Sequence, residues 1–221
     1  MNVLLTGHKG FIGSKLKQRL EQKNYAVIGI DKIDGDDLLD CEFPNNIDLV
    51  IHLAGKSGVR DSINDAGAYW TNNIVASKRL FDNYKHTRIL YASSSSQYEP
   101  HLNPYAASKH CLESLACCYD NTLGMRFHTV YNDQSRKGML FDKIKKGTLE
   151  YVTSHTRDFI HMEDCLDAIE ICIKNTQLQG TIDVGTGVGV KIQDLIPYKL
   201  PIVTHTPNER QNTLADINVL T

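Results

Sequence analysis

Residues 6–13 read "TGHKGFIG", and their reading decides the fold. Glycines recur at 7, 10 and 13, after an apolar run (2–5, "NVLL") and before a stretch with Ile12, Leu16 and Leu20 on one helical face. A strand turning through glycines into a helix makes a cradle for a dinucleotide pyrophosphate. Gly7 permits the tight turn, Gly10 lets the backbone approach phosphate, and Gly13 lets the helix pack close to the sheet. The N–H groups at the helix start, where Phe11 and Ile12 stand, then face the phosphates. An acid closes the next apolar run: Asp31 ends "VIGID" (27–31). A carboxylate there accepts hydrogen bonds from an adenosine ribose and repels a 2′-phosphate, which favours NAD over NADP. Lys9 and Lys32 flank it and leave NADP open.

Working outward, short apolar runs at 2–7, 25–31, 47–55 and 88–94 alternate with helix-length amphipathic stretches at 12–22 and 69–84. That alternation predicts an α/β fold, a Rossmann-like, doubly wound parallel sheet. Between Asp31 and Ile47 there is room only for a short third strand around Leu38–Cys41, which places Asp40 and Cys41 among the candidate cofactor contacts. Beyond Met125 the elements become compressed. A strand is expected near Met125–Val130, with helices around Met139–Lys146 and Glu163–Lys174. A strand at Thr181–Val184 and a short helix near Ile192–Ile196 follow. The expected division is a cofactor-binding core over about 1–125 and a small, discontinuous C-terminal lobe over about 126–221.

A second stretch carries chemistry. Residues 93–109 read "SSSSQYEPHLNPYAASK". Pro104 suits the first turn of a helix, which sets Tyr105 and Lys109 four residues apart on one face. An ammonium near a phenol favours the phenolate and lowers its pKa from about 10. A tyrosine so tuned can take a proton from an alcohol while hydride leaves the same carbon. Ser94 follows "RILYAS" at the carboxyl end of a strand, the edge where ligands sit in open α/β sheets, and can hold the alcohol oxygen.

The totals set limits. In 221 residues, 24 Lys and Arg stand against 26 Asp and Glu, so no basic excess points to nucleic acid or an anionic membrane. The six cysteines make no CxxC pair or zinc-like spacing, and no metal site is expected. They read as small buried apolar residues of a reduced cytoplasmic protein. The N-terminus has no basic segment followed by an apolar core, and no apolar run is long enough to span a bilayer.

Taken together, "TGHKGFIGS", "VIHLAG", "TNNIVASKRLF", "YASSSSQY", "PYAASK", "MRFHTVY", "RDFIHMEDCLDAI", "DVGTG" and "TLADI" resemble the extended short-chain dehydrogenase/reductases. Within them they resemble the NAD-dependent sugar-nucleotide epimerase/dehydratase family, most of all UDP-glucuronate 4-epimerases. The resemblance implies that Ser94 is the catalytic Ser/Thr, Tyr105 the base and Lys109 its partner on the nicotinamide ribose. It places Asn73 behind the site and Leu53, Ala54 and Gly55 along the cofactor phosphates. It implies a substrate carboxylate held by Ser95, Ser96, Thr129 and Arg136, with Arg157 and Arg210 toward the nucleotide. It also implies a homodimer, for which Leu80, Cys111, Leu115 and Cys118 offer apolar surface, unless those residues belong to the core. Dehydratases of this group resemble one another in an Asp-Glu pair after the catalytic Ser/Thr; here those positions are Ser95 and Ser96. The expected activity is 4-epimerisation of a UDP-hexuronic acid or UDP-hexose, with transient oxidation at C4′ and hydride return to the opposite face. A reductase or dehydrogenase of the same group, and a non-catalytic NAD-binding protein, remain as alternatives. The chain is shorter than its family pattern: the bridge from Ser94 to Tyr105 is about half the usual length, Glu99 replaces a glycine after Tyr98, and the terminal helices are absent after "ADI". A reduced substrate lobe is therefore expected.

Overall fold

The computed structural model describes residues 1–135, 137–196, 198–204 and 206–218. The chain begins with β1 (Asn2–Thr6), α1 (Phe11–Gln22), β2 (Ala26–Ile30) and β3 (Leu49–His52). Then come α2 (Val59–Asn64), α3 (Ala66–Trp70) and, after a π-helical turn at Thr71–Val75, α4 (Ala76–Asn83). β4 (Arg88–Ser94), α5 (Pro104–Ala116), β5 (Thr122–Phe127) and β6 (Thr129–Tyr131) follow. The remainder holds α6 (Leu140–Lys146), β7 (Val152–Thr153), β8 (Thr156–His161), α7 (Met162–Lys174), β9 (Gly180–Val184), β10 (Gly189–Lys191) and β11 (Ile202–Val203).

Six strands form one parallel sheet in the order β2-β1-β3-β4-β5-β9. Such strands are buried on both faces, and their side chains alternate between two cores. Val3, Leu5, Ile51, Leu90 and Met125 meet Leu16 and Leu20 of α1 and Cys165, Ile169 and Cys172 of α7. Leu4, Val50, Ile89 and Tyr91 meet Leu80 and Phe81 of α4 and Leu112 and Ala116 of α5 on the other side. The strand order reverses at β1, with β2 on one side and β3 on the other. This is the switch point where a crevice opens beyond the carboxyl ends of the strands.

The α/β doubly wound expectation holds, and several details need correction. Residues 38–40 form a turn, not a third strand. Arg79 holds that turn by donating to the carbonyls of Leu38 and Cys41 at 2.8 and 2.7 Å. The expected strand near Met125–Val130 is two strands broken at His128, whose N–H donates to the Val184 carbonyl at 3.0 Å. Leu80 is fully buried in the core, so it offers no surface to a second subunit. All six cysteines are free; Cys165 and Cys172 are buried, while Cys117 and Cys118 are exposed rather than packed.

The lobe consists of a three-stranded sheet, β10-β8-β6, and a two-stranded sheet, β11-β7. Strands this short supply little cohesion of their own. A buried carboxylate organises them. Asp158 of β8 accepts from the backbone N–H groups of Thr186, Gly187 and Ala215 and from the Thr186 hydroxyl, at 2.8–3.1 Å. Among the described residues no helix is long and apolar enough to cross a membrane, and no group of His, Cys, Asp and Glu is arranged to hold a metal.

Candidate active site

The glycine loop sits at the switch point as its sequence predicts. Gly7 has φ +72°, and a Cβ there would come 2.7 Å from the Ala54 nitrogen. A Cβ on Gly13 would lie 2.1 Å from the Gly7 carbonyl oxygen, so the turn and the helix approach too closely for a side chain. The Gly10 N–H donates to the Gly7 carbonyl at 2.9 Å and closes the turn. Asp31 lies beside it, its carboxylate accepting from the backbone N–H groups of Lys9 (2.9 Å) and Ile33 (3.0 Å). The loop, the start of α1 carrying Phe11 and Ile12, and this acid form one concave edge. That edge fits the pyrophosphate and adenosine ribose of a dinucleotide. Asp40 is exposed nearby and Cys41 is half-buried; burial raises the Cys41 thiol pKa, against a downward pull from Arg79.

The segment after β3 is tied into the same edge. Thr6 and His52 share a 2.7 Å hydrogen bond, His52 and Ser77 a 2.8 Å one, and the Ser77 hydroxyl donates to the Asn73 carbonyl. The Ala54 N–H donates to the Thr6 hydroxyl at 3.2 Å, which sets the path of Leu53–Gly55. Burial, with Lys109 close by, pushes the His52 pKa down to about 3, so the ring is neutral in the fold.

Asn73 lies in the π turn, a local widening that is common at functional sites. Its amide donates to the Lys56 carbonyl and the Ser108 hydroxyl and accepts from the Lys56 N–H at 2.7 Å. Gly55 has φ +156°. A Cβ on it would lie 2.9 Å from Asn73 Oδ1 and 3.6 Å from Lys109 Nζ, so the chain passes close to both.

The three candidate catalytic residues stand at the end of β4 and on α5. Ser94 ends the strand, buried, and its hydroxyl accepts from the Ser96 N–H at 3.2 Å. Asn103 caps α5 by accepting from the Ala106 N–H at 2.8 Å, and Pro104 takes the first helical position. This fixes the helix start one residue before Tyr105. The Tyr105 ring meets Tyr69 edge-on at 6.0 Å. Lys109 is 95% removed from solvent (5% exposed), and its Nζ donates to the Ala92 carbonyl of β4 at 2.8 Å. Burial pushes its pKa down to about 8, against an upward pull from Glu113.

Of the candidate substrate residues, Ser95 and Ser96 open a 3₁₀ turn at Ser95–Tyr98, and Thr129 begins β6. Arg136 lies outside the described residues. Arg210 donates to the Ser95 carbonyl at 3.0 Å, lies 3.6 Å from Glu99, and stacks on Tyr98 with its guanidinium 4.9 Å from the ring centre. Arg157 is turned inward and braces the lobe, donating to the Thr156 and Gln211 carbonyls. Sequence reasoning missed the residues that strap segment 206–211 across this face. Glu209 accepts from Arg60 of α2 at 2.9 Å, and the Asn103 side chain donates to the Asn208 carbonyl. A cleft of about 500 Å³ opens along Gly55, Lys56, Ser57, Asp61 and Tyr69 at the same edge. "NP" before "YAASK" is a helix-start signal that points to Asn103; no local signal marks Glu209.

A parallel dinucleotide-type sheet with a serine at one strand end and a Tyr-x-x-x-Lys helix beside it defines the short-chain dehydrogenase/reductase class, in its extended form. The chain belongs to the NAD dependent epimerase/dehydratase family, whose sequence model matches residues 3–185. NAD is the cofactor of that family. The protein is 28% identical to the uncharacterised UDP-glucose epimerase YtcB of Bacillus subtilis, over 99% of this chain and 90% of the relative. That match runs over 284 aligned positions against 221 residues here, so this chain is shorter than the relative within the aligned region. A UDP-glucuronic acid 4-epimerase from Bacillus cereus, solved with UDP-4-deoxy-4-fluoro-glucuronic acid and NAD, superposes with a TM-score of 0.87 at 25% identity. It covers 99% of this chain and 91% of that one. MoeE5, solved with UDP-glucose and NAD, superposes with a TM-score of 0.83 at 27% identity, covering 99% and 90%.

Proposed function

We propose that this chain is a sugar-nucleotide 4-epimerase that works with NAD on a UDP-hexuronic acid or a UDP-hexose. One observation carries the reading. Ser94 ends β4 at the carboxyl edge of the sheet, Tyr105 and Lys109 stand four residues apart on α5 with the Lys109 ammonium on the Ala92 carbonyl of β4, and the two residues after Ser94 are Ser95 and Ser96, so the turn lacks the carboxyl pair that elimination of water would use. Gly7, Gly10, Gly13 and Asp31 would hold NAD, which when bound would supply a reversible hydride acceptor. Tyr105 takes the proton of the 4′-hydroxyl and later returns it. The Ser94 hydroxyl steadies the same oxygen. Lys109, charged below about pH 8, favours the phenolate. Ser95, Ser96 and Thr129 form the side on which a substrate carboxylate is read, and the sequence offers Arg136 as its charged partner, through charge-assisted hydrogen bonds. The nucleotide lies toward Arg210, whereas Arg157 braces the lobe behind it. The described lobe, about 126–218, forms the reduced wall around the sugar. Two copies pair through α5 at the half-buried Cys111 and Leu115, with the exposed Cys118 in the turn just after that helix.

Tyr105→Phe is the test. It should lower interconversion of UDP-glucuronate and UDP-galacturonate, or of UDP-glucose and UDP-galactose, by about 10²–10⁴-fold while NAD stays bound. Undiminished turnover in that variant would sink the assignment. Stoichiometric reduction of NAD during turnover would instead make the enzyme a net dehydrogenase.

A further inference from the structure

The ribose end of the dinucleotide site carries opposed charges. Residues 31–42 hold six acids, Asp31, Asp34, Asp36, Asp37, Asp40 and Glu42, against one base, Lys32. Lys9 and Lys32 nevertheless flank Asp31, where a cation is placed to meet a phosphate on the ribose 2′-oxygen. The Lys9 N–H donates to Asp31 itself, so its side chain starts beside that carboxylate.

Both side chains are committed elsewhere. Lys9 Nζ lies 2.8 Å from Asp34 Oδ1, and Lys32 Nζ lies 2.9 Å from Asp37 Oδ2. Lys32 also donates to Asn72 Oδ1 on the π turn at 2.9 Å. Asp34 is held from its other oxygen by His8, whose Nε2 lies 3.0 Å away. The His8 ring is itself fixed against β2, where a Cβ on Gly29 would come within 2.5 Å of it. The short turn Lys32–Asp34 ends at Gly35 with φ +94°, which folds Asp34 back toward the glycine loop.

We propose that Asp34 and Asp37 are specificity-determining residues that reserve this site for NAD against NADP. They hold Lys9 and Lys32 away from a 2′-phosphate. A lysine drawn to that phosphate would uncover a carboxylate beside a dianion. The inference rests on the reading of Gly7–Asp31 as the dinucleotide site. Exposed ion pairs are each worth a factor of about 1.5 to 5, so the two together amount to roughly tenfold in selectivity.

Calorimetric titration of NAD and NADP, and of AMP and adenosine 2′,5′-bisphosphate, tests this on protein freed of any dinucleotide. In Asp34→Asn/Asp37→Asn the NADP affinity relative to NAD should rise about tenfold, with NAD affinity changed less than about threefold. Adding Lys9→Met and Lys32→Met should remove the gain. An unchanged ratio in the folded double variant, or a gain that survives loss of both lysines, overturns the proposal. If thermal melting shows the double variant unfolded, Lys9→Met/Lys32→Met in the parent decides: locked lysines contribute nothing, so NADP affinity should hold, and a fall of more than about threefold overturns the lock. A parent protein that binds neither dinucleotide overturns the site reading itself, a distinguishable failure.

Discussion

In the dinucleotide half, each functional group stands on an element that forms for local reasons. Gly7 and Gly13 meet within one strand–turn–helix unit, and Asn103 and Pro104 start the helix that carries Tyr105 and Lys109. The C-terminal lobe works differently. Its strands are two to six residues long, and its parts are gathered by Asp158, which reaches 28 to 57 residues along the chain, and by Glu209, which reaches 149 residues back to Arg60. The glycine loop and the start of α5 are therefore set by nearby residues, although the sheet under them also takes in β9 and packs on α7 from the C-terminal half. The lobe depends on a few long-range polar contacts, so a shortened lobe is retained only if those contacts persist.

The comparison can be broken most severely at Asp158. Replacing it with alanine leaves several buried donors without an acceptor and should cost about 3–5 kcal/mol. Nucleotide-sugar binding should be lost before dinucleotide binding, as read by calorimetry with each ligand. Simultaneous loss of both would show that the halves are not held independently. Gly13→Ala attacks the other half. Its Cβ would meet the Gly7 carbonyl oxygen, so stability should fall by about 1–3 kcal/mol, with NAD binding weakened, in denaturant melts and titrations.

His52 sharpens the comparison through pH. Its folded pKa of about 3 lies below the ordinary 6.5, so the unfolded chain takes up the proton first. Stability is then lost as pH falls from about 6.5 toward 3, and a folded His52→Gln variant should show a flatter acid limb in melting temperature. Lys109 works at the other end. Its ammonium is lost as pH rises through about 8, so kcat/KM should decline above that pH while stability does not. Its lowered pKa means that the unfolded chain binds the extra proton between about 8 and 10.5, which favours the fold as pH rises. The smallest effect is expected at Arg60. Its pair with Glu209 is more than half exposed on the arginine side, and Arg60→Ala should cost about 0.2–1 kcal/mol in thermal unfolding. A larger loss would mean that the strap contributes more to the lobe than an exposed ion pair does.

The residues legible in the sequence share a short range. The glycine spacing, Asp31 at a strand end, Ser94 at another and the i, i+4 pair on α5 follow from strand and helix geometry alone. Expectations failed where the outcome depended on distant partners. The turn at 38–40 replaces a strand because Arg79, about 40 residues away, takes its carbonyls. Leu80 is core because α4 lies flat on the sheet. The π turn carrying Asn73 is not distinguished within the amphipathic stretch 69–84, and the small strands of the lobe left no periodicity long enough to read.

The doubly wound class, the glycine turn into α1 and the positions of Ser94 at a strand end and of Tyr105 and Lys109 on one helix follow from the amino-acid sequence, because periodicity and glycine sterics act within a few residues. Only the tertiary structure decided that Lys9 and Lys32 are held by Asp34 and Asp37, that Asp158 gathers the lobe, and that Glu209 straps it to α2. Those contacts are set by where packed elements bring charges together, and charge pairing leaves no spacing rule in the chain.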